Sequence, residues 1–234
     1  EVKSITGYTY TTKEIIQHKS YFTITKNNDG TYYFVTPFSH EEIKTIWITV
    51  TEVNGKYKKT VTIEPGSSVE VEMDIQSQGK IWEPGSPNLT SIEFELSGKD
   101  FETSRRTVKT GIRMFEYSAD NGLTLNKRPI LLNGACAHHD NGILGASAYG
   151  AADIKKAQMI KDAGFNAVRT SHNPPSPYFL SVCDSLGLIV IDEAFDGWRN
   201  AKNTHDYSEI IDECWKDDLG KMILRDRNHP SVFC

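Results

Sequence analysis

Two hydropathy rhythms divide the chain. Up to about residue 118, apolar and polar residues alternate in short runs separated by turn-forming pairs. Residues 21–25 and 31–35 flank Asn27-Asn28-Asp29-Gly30, and residues 46–50 and 59–63 flank Asn54-Gly55. Asn and Gly tolerate the positive φ that tight hairpins demand, so each pair predicts a β-hairpin. Val69-Glu70-Val71-Glu72-Met73, Ser91-Ile92-Glu93-Phe94-Glu95-Leu96 and Arg106-Thr107-Val108-Lys109 alternate at period two. A sheet with one wetted face requires that pattern. Short strands at such spacing, with no helical stripe among them, predict an immunoglobulin-like β-sandwich.

After Asn126-Lys127-Arg128-Pro129 the rhythm changes. Ile130-Leu131-Leu132 reads as a short strand. Residues 151–163 read as a helix, with Ile154, Ala157 and Ile160 three apart and Gly164 as its stop. Ala167-Val168-Arg169 is the next strand. Ser176 can cap a second helix with Pro177 at its first position and Tyr178, Phe179, Val182 and Cys183 as its apolar face. Leu188-Ile189-Val190-Ile191 is apolar throughout, as a strand buried on both faces must be. Residues 208–225 read as a third helix striped by Ile211, Trp215, Leu219 and Met222, and Ser231-Val232-Phe233 opens a fourth strand. The alternation βαβαβαβ predicts a parallel α/β fold.

The expected fold class is therefore multidomain, β plus α/β: a sandwich over residues 1–122, then an incomplete (β/α)8 TIM barrel over residues 123–234. About three and a half β/α units do not close a barrel, which takes about 250 residues. A small open sheet would leave an edge strand bare, so truncation at Cys234 is the simpler expectation.

Composition narrows the function classes. Of 234 residues, 38% are hydrophobic and 24% charged, the balance of a globular chain. The net charge of −5, without a basic stripe, argues against a nucleic-acid partner. No apolar run approaches the roughly 20 residues that span a bilayer, so no membrane partner is expected. There is no leader peptide and no initial Met, which fits a mature form or an excerpt, and nothing assigns a compartment. Cys136, Cys183, Cys214 and Cys234 include no CxxC pair, so reduced cysteines filling buried gaps are expected. Trp47 and Trp82 are expected in the core.

The candidate chemistry lies at the strand ends. His138-His139-Asp140 follows the first barrel-type strand, Arg169-Thr170-Ser171-His172-Asn173-Pro174-Pro175 the second, and Asp192-Glu193 with Asp196 and Trp198 the third. The C-terminal ends of parallel strands converge on one face, so these groups should line one pocket. Imidazoles, carboxylates, an amide and an indole suit a carbohydrate, the polar groups for its hydroxyls and the flat ring for its C–H face. A metal centre is the first rival, since His138, His139, Asp140, His172 and Glu193 are ligand types. The histidines lack an i, i+4 spacing and neighbours on a strand face opposite ways, so no metal or cofactor is expected. A serine hydrolase fits worse, because no Gly-x-Ser-x-Gly elbow occurs. Asp192 and Glu193 cannot be a catalytic pair, since adjacent residues cannot flank a glycosidic bond from both sides. An ion pair within the fold is the plain role for one of them.

Several motifs together resemble glycoside hydrolase family 2. They are Leu131-Leu132-Asn133-Gly134-Ala135-Cys136 with His138-His139-Asp140; Phe165-Asn166-Ala167-Val168 running into Arg169-Thr170-Ser171-His172-Asn173-Pro174-Pro175; Cys183-Asp184-Ser185-Leu186-Gly187-Leu188; Ile191-Asp192-Glu193-Ala194-Phe195-Asp196; and Arg225-Asp226-Arg227-Asn228-His229-Pro230-Ser231-Val232. Trp82-Glu83-Pro84, Pro87-Asn88-Leu89 and Gly111-Ile112-Arg113 are similar to its immunoglobulin-like central domain. The likeness runs from about residue 80 onward; the first 80 residues match only in character.

The resemblance implies a retaining exo-β-glycosidase, nearest the β-galactosidases, acting on a terminal β-linked sugar. It places His138, Arg169 and His172 around that sugar, with Asp140, Asn173, Glu193 and Trp198 as further binding positions. It also places the acid/base glutamate just beyond Cys234 and the nucleophile on the seventh barrel strand. Retaining hydrolysis needs two carboxyls about 5–5.5 Å apart, so this chain is expected to hold pocket residues and no catalytic pair. Departures from the pattern are Ala137, where a larger residue is usual, Thr110, where an aromatic precedes Gly-Ile-Arg, and Phe195-Asp196-Gly197-Trp198, which lacks the Glu-x-His that binds magnesium in some members. The rival class is a non-catalytic carbohydrate-binding protein derived from such an enzyme, and a purely structural sandwich with a vestigial tail is the third. Asn88-Leu89-Thr90 is a glycosylation sequon of a kind common by chance. Homo-oligomerisation of the parent enzyme is left open.

Overall fold

The computed structural model describes residues 16–17, 23–26, 31–35, 44–52, 55–63, 68–72, 79–99 and 101–234. The expected turn Asn27-Asn28-Asp29-Gly30, together with Tyr21, Phe22, Asn54 and Met73, lies outside them. Two compact units result: Glu1–Trp82 with Asn88–Arg128, and Glu83–Pro87 with Pro129–Cys234.

The first unit is antiparallel. Strands β1 (Ile16–Gln17), β2 (Thr23–Lys26), β3 (Thr31–Val35) and β6 (Ser68–Glu72) form one sheet in the order β1-β2-β3-β6. A second sheet runs β10-β9-β4-β5, from β4 (Lys44–Glu52), β5 (Gly55–Ile63), β9 (Thr90–Gly98) and β10 (Phe101–Thr110). Between β6 and β9 in the chain, β7 (Trp82–Glu83) and β8 (Ser86–Pro87) make a two-stranded ribbon, most of it assigned to the second unit. The hairpins expected around residues 27–30 and 54–55 are present as β2 against β3 and β4 against β5. Along β9, Thr90, Ile92, Phe94 and Leu96 are buried while Ser91 and Glu93 are exposed. Ile48, Val50, Val61 and Val108 are also buried on this sheet.

Trp82 is fully buried, as expected. Trp47 is not: it is 43% exposed, while Ile48, Thr49 and Val50, which follow it on β4, are buried. Asn126 ties this unit's lower end. Its side chain accepts from the Met114 N–H (2.9 Å) and donates to the Trp82 carbonyl (3.0 Å). Asn126 and Lys127 both have positive φ, 53° and 65°, between β12 (Gly122–Leu125), which pairs with β11 (Phe115–Ser118), and β13 (Arg128–Pro129). Two left-handed residues are what a tight two-residue hairpin turn requires.

The second unit is parallel. β14 (Gly134–His138), β15 (Ala167–Ser171) and β16 (Ile189–Ile191) lie in that order, with α1 (Gly150–Asp162) and α2 (Pro177–Leu186) as the crossovers. Val232 bridges Val190 in parallel, so the chain after α3 (Ile211–Asp226) begins a fourth strand position beside β16. Val168, Val190 and Leu188 pack with Ala157 of α1 and with Phe179, Leu180 and Cys183 of α2. Ser176 caps α2 as expected, its hydroxyl accepting from the Phe179 N–H at 2.9 Å, with Pro177 following.

Several local expectations fail for identifiable reasons. Ile130-Leu131-Leu132 is not a strand: Leu131 is 89% exposed, and the ladder starts only where Gly134 pairs with Ala167. A Cβ on Gly134 would lie 2.9 Å from the Ala167 carbonyl oxygen, so close backbone approach, not apolarity, sets the strand's start. Ile154 is exposed, and Asp153 and Ala157 take the buried face of α1. Tyr178 is exposed and Leu180 fills the position beneath α2. The third helix begins at Ile211, after a 3-10 turn at Tyr207–Glu209 capped by the Asp206 side chain. Of the cysteines only Cys183 is buried; Cys136, in the middle of β14 and out of phase with the helix-facing Ala137, is exposed, as is Cys234. Among the described residues no helix is long and apolar enough to cross a membrane.

Gly187 ends α2 in the left-handed region, at φ 69°. A Cβ there would meet the Pro84 carbonyl oxygen at 2.5 Å. Lys161 bridges the same place, donating to the carbonyls of Pro84 (3.1 Å) and Gly187 (3.3 Å). This contact is why Glu83–Pro87 belongs to the parallel unit.

Candidate functional site

Strand alternation decides which side chains meet. Ala137, Val168, Val190 and Val232 face the helices. Residues one step out of phase therefore face the other way: Cys136 and His138 on β14, Arg169 and Ser171 on β15, Ile191 and then Glu193 after β16.

On that face four side chains converge. The Arg169 guanidinium donates to Glu193 Oε1 at 2.8 Å. His172 Nδ1 lies 3.1 Å from the same oxygen and 3.4 Å from the guanidinium nitrogen. A ring proton on Nδ1 would donate to that carboxylate oxygen. The His138 ring packs edge-on against that of His172, centroids 5.1 Å apart. Glu193 Oε2 is buried and has no donor among the described residues. Its backbone is pinned, since the Glu193 N–H donates to Thr170 Oγ1 at 3.0 Å.

The other expected site residues sit elsewhere. Asp140 belongs to a turn, accepting from the Gly142 N–H at 3.3 Å. Asn173 lines a cavity of about 430 Å³ with Phe195, Asp196, Lys202 and Tyr207. Trp198, at φ 51°, lies edge-on to Phe195 at 5.1 Å and is 44% exposed. His138 also borders a second cavity of about 240 Å³, with His139, Asp153, Lys156 and Phe179.

Sequence reasoning missed Cys136. The Cys136 sulfur accepts from Arg169 at 3.7 Å, and the Ser171 hydroxyl, then the guanidinium, hold its thiol below the ordinary value. Period two was the available signal, since Cys136 stands two residues before His138 on the same strand face. Asp192 and Glu193 diverge: Glu193 enters the cluster, while Asp192 turns toward α3 and Asp226. Among the described residues no three His, Cys, Asp or Glu side chains converge as a metal site. Asp196 is salt-bridged to Lys202.

A parallel β/α unit with polar side chains gathered at the C-terminal ends of its strands, following an antiparallel unit in the chain, has the layout of an α/β barrel's opening strands. The chain belongs to glycoside hydrolase family 2: residues 118–234 match the family model described as "Glycosyl hydrolases family 2, TIM barrel domain". It is 44% identical over 156 residues to the β-galactosidase BoGH2A of Bacteroides ovatus, covering 67% of this chain and 18% of that one. A solved structure of a family 2 member from Bacteroides cellulosilyticus superposes with a TM-score of 0.77 at 33% identity, over 97% of this chain and 29% of that one. The β-glucuronidase structure of Bacteroides uniformis, at 20% identity and a TM-score of 0.71, shares the fold over 94% of this chain and 26% of its own. The chain thus spans less than a third of each of these proteins.

Proposed function

We propose that this chain forms part of a retaining exo-β-glycosidase of the β-galactosidase type, supplying side chains that orient the terminal sugar. In this reading the antiparallel unit is the immunoglobulin-like domain and the parallel unit the first part of a (β/α)8 barrel, divided near residues 122 and 123. The observation that carries it is the Arg169–Glu193–His172 cluster at the strand ends, in a chain 44% identical to a β-galactosidase. Arg169, Glu193 and His172 offer donors and acceptors for vicinal hydroxyls, with His138 packed beside them. Asn173 and Trp198 would border the pocket further out and Asp140 its rim. A galactoside is favoured over a uronide because the Arg169 charge is already met by Glu193, leaving a poor partner for a sugar carboxylate.

The chemistry of such an enzyme requires an acid/base carboxyl and a nucleophilic carboxylate about 5–5.5 Å apart. On this reading residues 1–234 hold the sugar and do not turn it over. The test is a nitrophenyl β-galactoside assay alongside an NMR titration with methyl β-galactoside. Saturable binding without turnover, weakened about tenfold or more in Arg169→Ala through loss of a charged hydrogen bond, is expected. Turnover by these residues, or no binding, would overturn the reading.

A further inference from the structure

We propose that Cys136 is a positioning residue for this site: its sulfur and the Glu193 carboxylate hold the two arms of the Arg169 guanidinium, and so set the plane in which Arg169 meets the sugar. The inference rests on the reading of Arg169, His172 and Glu193 as a sugar-orienting cluster.

The geometry begins with register. On the parallel strands β14 and β15, Cys136 stands directly beside Arg169, as His138 stands beside Ser171. Ala137, which follows Cys136, and Val168, which precedes Arg169, pack toward the helices. Alternation therefore turns Cys136 and Arg169 together to the opposite face. Neighbouring strands lie about 4.8 Å apart, a gap that a thiol and a long arginine stem close easily.

A guanidinium is a rigid planar fork of five N–H donors. In Arg169 its two terminal nitrogens are divided between different partners. Nη1 donates to the Cys136 sulfur at 3.7 Å. Nη2 donates to Glu193 Oε1 at 2.8 Å and lies 3.4 Å from His172 Nδ1. A planar group held by one arm pivots about that contact, whereas one held by both arms has its plane fixed. Glu193 alone leaves the pivot open, and the Arg169 side chain, 41% exposed, is too open to solvent for packing to close it. Cys136 supplies the second anchor.

Charge strengthens that anchor. A neutral thiol sulfur is a weak acceptor, and ionisation makes it a stronger one. The Ser171 hydroxyl first, and then the Arg169 guanidinium, hold the Cys136 thiol below its ordinary value, against desolvation and the Glu193 charge. Ser171 comes from β15 with Arg169, Glu193 from the segment after β16, and His138 is the next residue on this face of β14. Cys183 shows the other use of a cysteine: it fills the core under the helices, and burial pushes its thiol up.

The deciding experiment is a double-mutant cycle in the 234-residue chain, with Cys136→Ala and Arg169→Ala made singly and together. Methyl β-galactoside affinity is read by NMR titration. Cys136→Ala should weaken binding about threefold to tenfold, the ordinary worth of one hydrogen bond. On the Arg169→Ala background the same substitution should change affinity less than about twofold, because the group it positions is gone. Equal losses on the two backgrounds, or no loss in Cys136→Ala alone, would overturn the proposal. The Arg169 side-chain resonances add a signature that a general loss of stability does not imitate. Held by both arms, the guanidinium should show separate Nη1 and Nη2 signals in the parent, and faster rotation should merge them in Cys136→Ala. Signals that stay separate in the variant overturn the proposal, and signals already merged in the parent do so whether or not the variant folds. Absence of sugar binding by the parent overturns the sugar reading instead, while the Arg169 signals still decide what Cys136 holds.

Discussion

The antiparallel and parallel units distribute their polar residues in opposite ways. On β9 the polar positions Ser91 and Glu93 alternate with Ile92 and Phe94, so polarity is spread evenly to wet one face. Strands β15 and β16 have no wet face of that kind: Ala167, Val168, Ile189 and Val190 are all buried, and polarity collects after them in Arg169, His172, Asp192 and Glu193. Evenly spread polarity supports solubility. Polarity concentrated at strand ends, where side chains from separate strands meet, supports chemistry.

The largest effects should come from the two cores. Trp82→Ala removes a fully buried indole and is expected to cost about 3–5 kcal/mol, while Leu180→Ala in the parallel core should cost about 2–5. Urea unfolding followed by circular dichroism measures both. A loss below about 1 kcal/mol at either position would mean that the site collapses without a cavity and is not core.

Gly187 and Gly164 sharpen the contrast between strain and space. Both have positive φ, 69° and 86°. At Gly164 nothing lies within 4 Å of an added Cβ, whereas at Gly187 the Pro84 backbone blocks it. Gly164→Ala should therefore cost about 1–2 kcal/mol, the left-handed penalty alone, and Gly187→Ala clearly more. Equal losses in thermal melts would show that the Glu83–Pro87 contact yields freely.

A pH-dependent effect tests the pin between α2 and the fourth strand position. His229 Nδ1 lies 2.6 Å from Asp184 Oδ2, and the Ser231 N–H and hydroxyl bond the other oxygen at 3.0 and 2.6 Å. Burial alone would lower the His229 value, but the Asp184 carboxylate outweighs it and raises the ring above its ordinary 6.5. The folded chain therefore holds this proton more tightly than the unfolded one. The stabilisation is complete below about pH 6.5 and fades as pH rises through the folded-state value. Relative to the parent, Asp184→Asn should lose most at low pH and least at high pH. A difference independent of pH would show that His229 stays neutral.

How far the sequence reveals these features depends on what sets each one. Strands β3 to β5 and β9 follow local alternation and turn residues, and α2 follows its Ser176-Pro177 start, so they are legible. Ile130-Leu131-Leu132 misleads because strand identity there depends on a partner, and pairing begins only at Gly134 opposite Ala167. Trp47 misleads because a large apolar side chain is not by itself a sign of burial. At the site, Arg169, His172 and Glu193 come together because strand parity and strand ends dictate it, with His138 beside them. Asp140 and Trp198 depend on loop conformations, the Gly142 turn and a positive φ, that no periodicity encodes. Cys136 meets Arg169 through register between distant strands, which a single strand's pattern does not contain.

The smallest expected effect separates an ion pair from a site. Arg105 and Glu95 in the antiparallel unit meet at 2.7 Å, with side chains 59% and 21% exposed. Arg169 and Glu193 meet at 2.8 Å, with side chains 41% and 20% exposed. By distance and exposure these are near twins, and water screens both. Arg105→Ala should change stability by no more than about 0.5–1 kcal/mol, the ordinary worth of an exposed pair, and high salt should shrink even that. Arg169→Ala should be almost as mild in a denaturation curve, because its guanidinium is also largely wetted. The two differ in what lies around them. Arg105 pairs across an open sheet face between two neighbouring strands. Arg169 shares its carboxylate with His172 and touches Cys136, so its loss releases three groups at once. Two similar stability losses, with glycoside binding damaged only by Arg169→Ala, would show that the convergence of strand ends makes the site. Equal damage to binding from both variants would place sugar recognition outside this cluster.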